Sequence, residues 1–445
     1  MKDLTQGNIY KTFFLFAFPL LLSGLLSQSY HIIDTAIAGK YLGEMGIAAI
    51  SSSSSIITLL SSIFWGFSTG ASIYFAILFG AKKFGELKNA VFSSYVLLVC
   101  ACLVTSCISL IFKDSIFAFL KIDLSLWIEA SKYFTVCILG IVFTISNAFF
   151  IAVFNAIGLS SYPFYMSLIS AVLNVSGNIF TLTILKTGVI GVAFSTVISA
   201  FIVDVFYITK LNYIYKKLNV IAKSEFDKTS LPHVFSMSLP VTFQQLIMYT
   251  VGIFISPAVN ALGPSTTAAY SVVNHVYEVC ASMYQNSSKT VSSYTAQCIG
   301  AKKFKNLKKG VFAGFVQATL VILPLVLLIR FFARPICLFF FEEGYTGNAL
   351  SYSVDFAKNY LIFVFLNVIN NLFHSFWRGV TAKGYLLTGT ITGSVSRIVL
   401  TLILINIYSI KGVWIAWVLS WAIEAVLNLI LYFMGRWKII LKKYK

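Results

Sequence analysis

The sequence predicts an all-α membrane protein, with twelve transmembrane helices in two parallel-repeat six-helix lobes around a central cleft. Three observations predict it. Apolar residues make up 58% of the 445-residue chain and charged residues only 11%, whereas a soluble domain carries about 25% charged residues. The apolar residues come in runs: 47–79 is 33 residues without a charge and 141–185 is 45, and about 20 suffice to cross a bilayer core as a helix. Finally, a Lys-rich phrase occurs twice. "GAKKFGELKNAVF" starts at Gly80 and "GAKKFKNLKKGVF" at Gly300, 220 residues apart and identical at nine of thirteen positions.

In chain order the spans are expected at 13–38, 47–79, 90–112, 129–156, 162–185, 188–209, 232–260, 266–298, 309–331, 354–378, 385–407 and 411–434. The long run 141–185 must turn, and Gly158 to Pro163 supplies the turn. Segments longer than a bilayer core of about 30 Å are expected to tilt or project from it. With the N-terminus inside, 22 Lys and Arg fall in inside segments and seven in outside loops. That bias places both termini in the cytoplasm. Six spans separate the two Lys-rich phrases, so both face the same side. Other landmarks keep the interval to within one residue: Leu42-Gly43 with Leu262-Gly263 at 220, and Pro19 with Pro240 and Gly191 with Gly412 at 221. The expected organisation is an N-terminal lobe at 1–209, a cytoplasmic linker at 210–231 and a C-terminal lobe with a basic tail at 232–445. Two lobes related by an axis along the membrane normal form a transporter architecture, because rocking them opens a cleft to either side. Gly80 and Gly300 are expected to end their helices as left-handed cap residues.

The net charge of +18 does not imply a nucleic-acid partner, because the lysines lie between spans, where they set topology. The seven cysteines are scattered without metal or disulfide spacing. No His-Glu-x-x-His occurs, and an enzyme is not expected.

Charges inside spans are costly and usually functional. Four acids lie well within them: Asp34, Asp204, Glu278 and Glu424. The candidate basic partners are His31, His275, Lys289, His374 and Arg397, with Arg378 at a span end. Asp34 has His31 one turn back and is the foremost candidate for loading a proton or holding Na⁺; the alternative is a cap or a simple pair with His31. His275 stands in the same relation to Glu278, and Lys289 lies three turns beyond on a similar face. Asp204 and Glu424 come late in the last span of each lobe, where they either stay buried or reach the interface. Arg397 either ties helices together or meets a substrate. Aromatic residues, 16% of the chain, suit lipid-facing belts and also flat cationic compounds.

These residues resemble the multidrug and toxic compound extrusion (MATE) family over nearly the whole chain. The opening "LTQGNIYKTFFLFAFPLLLSGLLSQSYHIIDTAIAGKYLG" carries Pro19, Gln28 and Asp34-Thr35, and "LPVTFQQLIMYTVGIFISPAVNALG" opens the second lobe with Pro240 and Gln244. "AQCIGAKKF" and "FWRGVTAKG" match the segments closing spans eight and ten. The resemblance implies an antiporter of the inner (cytoplasmic) membrane that exports drugs in exchange for H⁺ or Na⁺. It implies no cofactor, a small-molecule substrate, membrane lipids as surroundings and a monomer. It implies a cation-coupling set of Asp34, Asn174, Asn178 and Thr196, and a cleft or second-lobe set of Gln28, Gln244, His275, Glu278, Lys289 and Arg397. In "LNVSGNIF" the chain departs from the family, with Asn178 where Asp is usual; an amide cannot titrate, so Asp34 would work with neutral oxygens. Asn155 stands where the family often has Arg. A lipid or lipid-linked saccharide flippase of the same superfamily is the alternative, favoured by Lys289 and Arg397.

Overall fold

The computed structural model describes residues 3–119, 122–220, 224–342 and 344–444, with the side chains at 31, 32 and 35 outside the described set. Among the described residues there is no strand; every regular element is helical. The α-helices are α1 (Ile9–Gly80), α2 (Phe84–Ile111), α3 (Lys113–Phe119), α4 (Trp127–Leu139), α5 (Ile141–Ala156), α6 (Ser161–Thr183) and α7 (Val189–Lys217). They continue with α8 (Leu231–Asn260), α9 (Pro264–Gly300), α10 (Leu307–Phe331), α11 (Ala333–Leu338), α12 (Asn348–Asp355), α13 (Val364–Gly379), α14 (Lys383–Tyr408), α15 (Ile410–Met434) and α16 (Trp437–Ile440).

Ten of the described helical segments are long and apolar enough to cross a membrane, and the bent pair α4–α5 makes eleven. The remaining expected span, 266–298, falls on α9, which is 37 residues long but carries Ser, Thr, Asn, Gln and Lys along its length and is not among these apolar segments. The first two expected spans form one helix broken at Gly43, whose φ of 67° and ψ of −169° suit glycine. The fourth span bends by 49° between α4 and α5. Gly140 sits at the bend, and a Cβ there would collide with Val197 of α7. The tenth expected span is interrupted by a π-turn at Phe356–Tyr360 and a 3₁₀ turn at Leu361–Phe363. Many large apolar side chains point outward along the spans, among them Phe18, Leu103, Val172, Ile253 and Phe433. Exposed apolar faces of this extent suit lipid, and the chain is a multi-pass membrane protein.

Two compact units emerge from the packing of the described residues: those within 25–242, and those within 3–24 together with 243–444. In the first unit, α1 carries Gly66 and Gly70 against α8, and a Cβ on either would collide with the backbone at Thr242 or Ser238. This is a small-xxx-small contact, in which missing side chains let backbones touch. Ser238 seals it by donating its hydroxyl to the Phe67 carbonyl at 3.0 Å. The chain before α8 is tied to α2: Asn89 accepts from the Glu225 amide at 3.1 Å and Ser93 from the Asp227 amide at 2.7 Å. Hydrogen bonds from Thr229 hold the Asp227 carboxyl below the usual carboxylate range. In the second unit the N-terminal segment is anchored by the Leu4 amide donating to Gln297 at 2.9 Å, by Lys303 donating to Thr5 Oγ1 at 2.8 Å, and by Phe13 packing edge-on to Tyr294.

Corresponding backbone turns repeat between the halves. Lys82 and Lys302 have φ of 58° and 57°; Gly188 and Ser409 have φ of 64° and 53°. The expectation that Gly80 and Gly300 are the left-handed caps is corrected: both lie in the last helical turn, and the left-handed residue is the first lysine of each phrase. The reason is in the bonding. Lys83 donates to the Leu78 carbonyl at 3.0 Å and Lys303 to the Cys298 carbonyl at 2.8 Å. These are the longer bonds of a Schellman closure, which puts the left-handed residue just before the donor.

Candidate functional site

In the first unit, polar side chains from three helices meet within apolar surroundings. Asn174 and Asn178 are four apart on α6, so they share a face. Gly177 lets α6 approach α7 closely, because a Cβ there would press on Ser195 at 2.9–3.0 Å. That approach brings Asn174 to Thr196 of α7: its amide donates to Thr196 Oγ1 at 3.0 Å. Asn178 donates to Asn174 Oδ1 at 3.0 Å and to Asp34 Oδ1 of α1 at 2.5 Å. Tyr30, one turn before Asp34, hydrogen-bonds Thr196. Asn174 and Asn178 are buried, while Asp34, Thr196 and Tyr30 are half-buried. Asn178 Oδ1 is buried without a hydrogen-bond partner. Beneath the set lies an apolar cluster of Tyr133, Cys137, Leu182, Val189, Val192 and Ala193. The structure thus brings Asp34, Asn174, Asn178 and Thr196 together and adds Tyr30. One carboxylate accepts from the Asn178 amide, and the Asn174 carbonyl, the Thr196 hydroxyl and the Tyr30 phenol belong to the same network, a set suited to one proton or one hard monovalent cation. Gln28 lies half-buried two residues before Tyr30. The expected His31 partner of Asp34 lies outside the described residues.

Asp204 is also buried in this unit. Asn147 of α5 donates to its Oδ1 at 3.0 Å, and Oδ2 has no hydrogen-bond partner.

The second unit distributes its candidates over separate places. Glu278 and His275 are both exposed on α9, and His275 stacks on Phe340 with ring centres 5.5 Å apart. Among the described residues no ion pair joins Glu278 to His275 or to Lys289. Lys289 donates instead to Asn286 at 2.8 Å. Arg397 of α14 lies 3.9 Å over the Trp417 ring of α15. Nearby, Asn367 donates to the phenols of Tyr277 at 2.6 Å and Tyr284 at 2.9 Å.

One constellation was not legible as a unit. His374 of α13 places Nε2 2.7 Å from Glu424 Oε1 of α15, with side chains 6% and 9% exposed. Gln244 of α8 sets its amide nitrogen 3.0 Å from His374 Nδ1 and donates to Thr390 Oγ1 at 3.2 Å. Asp204 and Glu424, which the sequence left open between burial and the interface, are both buried. The available signal was a pair of glycines, Gly389 and Gly393, one turn apart on α14. A Cβ on Gly393 would collide with the Glu424 carboxylate, and one on Gly389 would lie 3.4 Å from His374 Nε2.

The family model MatE matches residues 19–180 and 240–403. The chain is 26% identical over 352 residues to the probable multidrug resistance protein YoeA of Bacillus subtilis (strain 168), covering 77% of this chain and 76% of that one. It is 25% identical over 275 residues to the multidrug export protein MepA of Staphylococcus aureus (strain bovine RF122 / ET3-1), covering 60% of this chain and 59% of that one. Its fold is similar to a solved outward-facing multidrug resistance MATE family transporter of the MOP superfamily, with a TM-score of 0.89, 17% identity and coverage of 99% and 98%. With the family model matching both halves of the repeat, the chain belongs to the MatE family, as its resemblance to the multidrug and toxic compound extrusion transporters implied.

Proposed function

We propose that the protein is a secondary antiporter that exports cationic or amphipathic small molecules in exchange for H⁺ or Na⁺ by alternating access. Its setting is the inner (cytoplasmic) membrane with both termini cytoplasmic, and it works as a monomer without a cofactor. The observation that carries this reading is Asp34, a carboxylate within an apolar span, hydrogen-bonded by Asn178 and joined through Asn174 to Thr196. A carboxylate kept inside the membrane at a cost supports a role in carrying positive charge. Family membership and relatives named for multidrug resistance support the cargo class. The same names leave the flippase reading unfavoured.

Each half-cycle has a charge balance. With Asp34 ionised the site attracts one H⁺ or one Na⁺. Binding neutralises the carboxylate, and an ion can shift the conformational equilibrium only by its difference in affinity for the two states. Asn178 as an amide limits the set to one negative charge, so one monovalent ion saturates it.

The test is transport in proteoliposomes with a panel of cationic dyes and fluoroquinolones. An imposed H⁺ gradient, or an imposed Na⁺ gradient, is expected to drive at least one compound against its own gradient. Movement that only ever dissipates the compound's gradient, whichever ion is supplied, contradicts the reading.

A further inference from the structure

We propose that His374 and Glu424, with Gln244 as their indicator, form a proton-binding site inside the second unit, separate from the Asp34 set. The pair is nearly closed to solvent and its heavy atoms approach to 2.7 Å. The contact is short in distance but not aligned as a hydrogen bond, so charge on charge is its main attraction. With a neutral imidazole the pair carries one buried negative charge; with one added proton it carries none. Burying an uncompensated charge costs several kcal/mol, whereas a compensated pair recovers much of that.

Gln244 distinguishes the two states. As placed, its amide nitrogen faces Nδ1, which makes Nδ1 an acceptor and the ring neutral, with its proton on Nε2 toward Glu424. The amide oxygen of Gln244 is buried and has no hydrogen-bond partner. Protonation of Nδ1 turns it into a donor, and a half-turn of the Gln244 amide brings the idle oxygen to meet it. Both protonation states therefore have a partner ready. Gln244 is the second residue of the second unit along α8.

Other ionisable groups around the pair come from each neighbouring helix. On α13, Arg378 donates to the His374 carbonyl at 3.3 Å. On α14, Arg397 lies one turn beyond Gly393 and rests on Trp417 of α15. On α9 stand Lys289, Glu278 and the phenols of Tyr277 and Tyr284. The second-unit part of α8 adds only Tyr249, and α10 carries its charges at its ends. Arg378 and Arg397 are spread along two helices, and neither displaces His374 as the partner closest to Glu424. Gly389 and Gly393 let α14 pack close against the pair, with Asn428 beside Gly389 and Thr390 holding Gln244.

The proposal rests on the antiport reading only for its consequence in transport; proton binding is measured on the purified protein. The chain has four histidines, so full-length protein labelled at histidine nitrogen in detergent gives a countable NMR spectrum, with His374 identified by its loss in His374→Gln. As pH is lowered across the range in which the purified protein stays folded, the His374 signals are expected to pass from the Nε2-protonated tautomer to imidazolium. Removing the adjacent negative charge in Glu424→Gln is expected to weaken that proton binding by about tenfold or more, and Gln244→Leu by a smaller factor. A His374 that keeps one form over the whole range, neutral or charged, overturns the proposal, as does a midpoint unchanged by Glu424→Gln. The wild-type titration decides even if a variant does not fold. In proteoliposomes Glu424→Gln is expected to flatten the pH dependence of efflux. Efflux that no ion gradient drives sinks the antiport reading while leaving the His374 titration standing.

Discussion

At Asp34 the partner is an amide where the family resemblance leads one to expect a second carboxylate. Asn178 spends its nitrogen on Asp34 and Asn174 and leaves its oxygen idle. In Asn178→Asp two carboxylates would adjoin, and like charges at that range do not both ionise freely. Efflux measured against pH is therefore expected to gain a second titration step, and the half-saturating ion concentration is expected to fall. Thr196 is the acceptor for the Asn174 amide. Thr196→Val leaves that buried donor unpaired, at a cost of about 1 kcal/mol or more. The ion concentration for half-maximal drive should rise about fivefold, with dye binding unchanged. Asp34 was legible in the sequence because a charge stands out in an apolar run. Asn174 and Asn178 are ordinary polar residues, and only the resemblance singled them out. The pairing of His374 with Glu424 and Gln244 was not legible, because it depends on three helices that approach only in the fold.

Helices were legible where apolar runs are long, and so was the break at Gly43, which falls in the gap expected between 38 and 47. The bend at Gly140 and the π-turn before α13 were not, because they arise from packing and backbone geometry that hydropathy does not encode. Ser409 is a clear case. It holds φ 53° and ψ −137°, a combination costly for a residue with a Cβ, where its counterpart is Gly188 with φ 64° and ψ −146°. Ser409→Gly is expected to stabilise the protein by about 1 kcal/mol, read as a raised thermal midpoint in detergent. The opposite is expected at Gly70. A side chain there meets the α8 backbone at Ser238, and overpacking of this kind costs about 1–3 kcal/mol. Gly70→Val should lower the thermal midpoint and the yield of monodisperse protein, with Gly85→Ala, which meets nothing within 4 Å, as the control.

For the whole molecule, duplication was the most informative property of the chain. The paired Lys-rich phrases, the matched turns and the family match to both halves describe one plan used twice. The plan was followed loosely. The first half has Asp34 on α1, and the second has no acid at the corresponding place on α8. Its buried carboxylate is Glu424 on α15, at the place that Asp204 holds on α7. Sequence periodicity reveals the shared architecture, while the divergent chemistry requires side chains in place. The central claim is that Asp34 couples the ion to export. Its most direct test is gradient-driven dye efflux from proteoliposomes containing Asp34→Asn, compared with wild type at equal amounts of folded, dye-binding protein. The account predicts dye binding retained and gradient-driven efflux abolished; efflux at the wild-type rate in Asp34→Asn would contradict it.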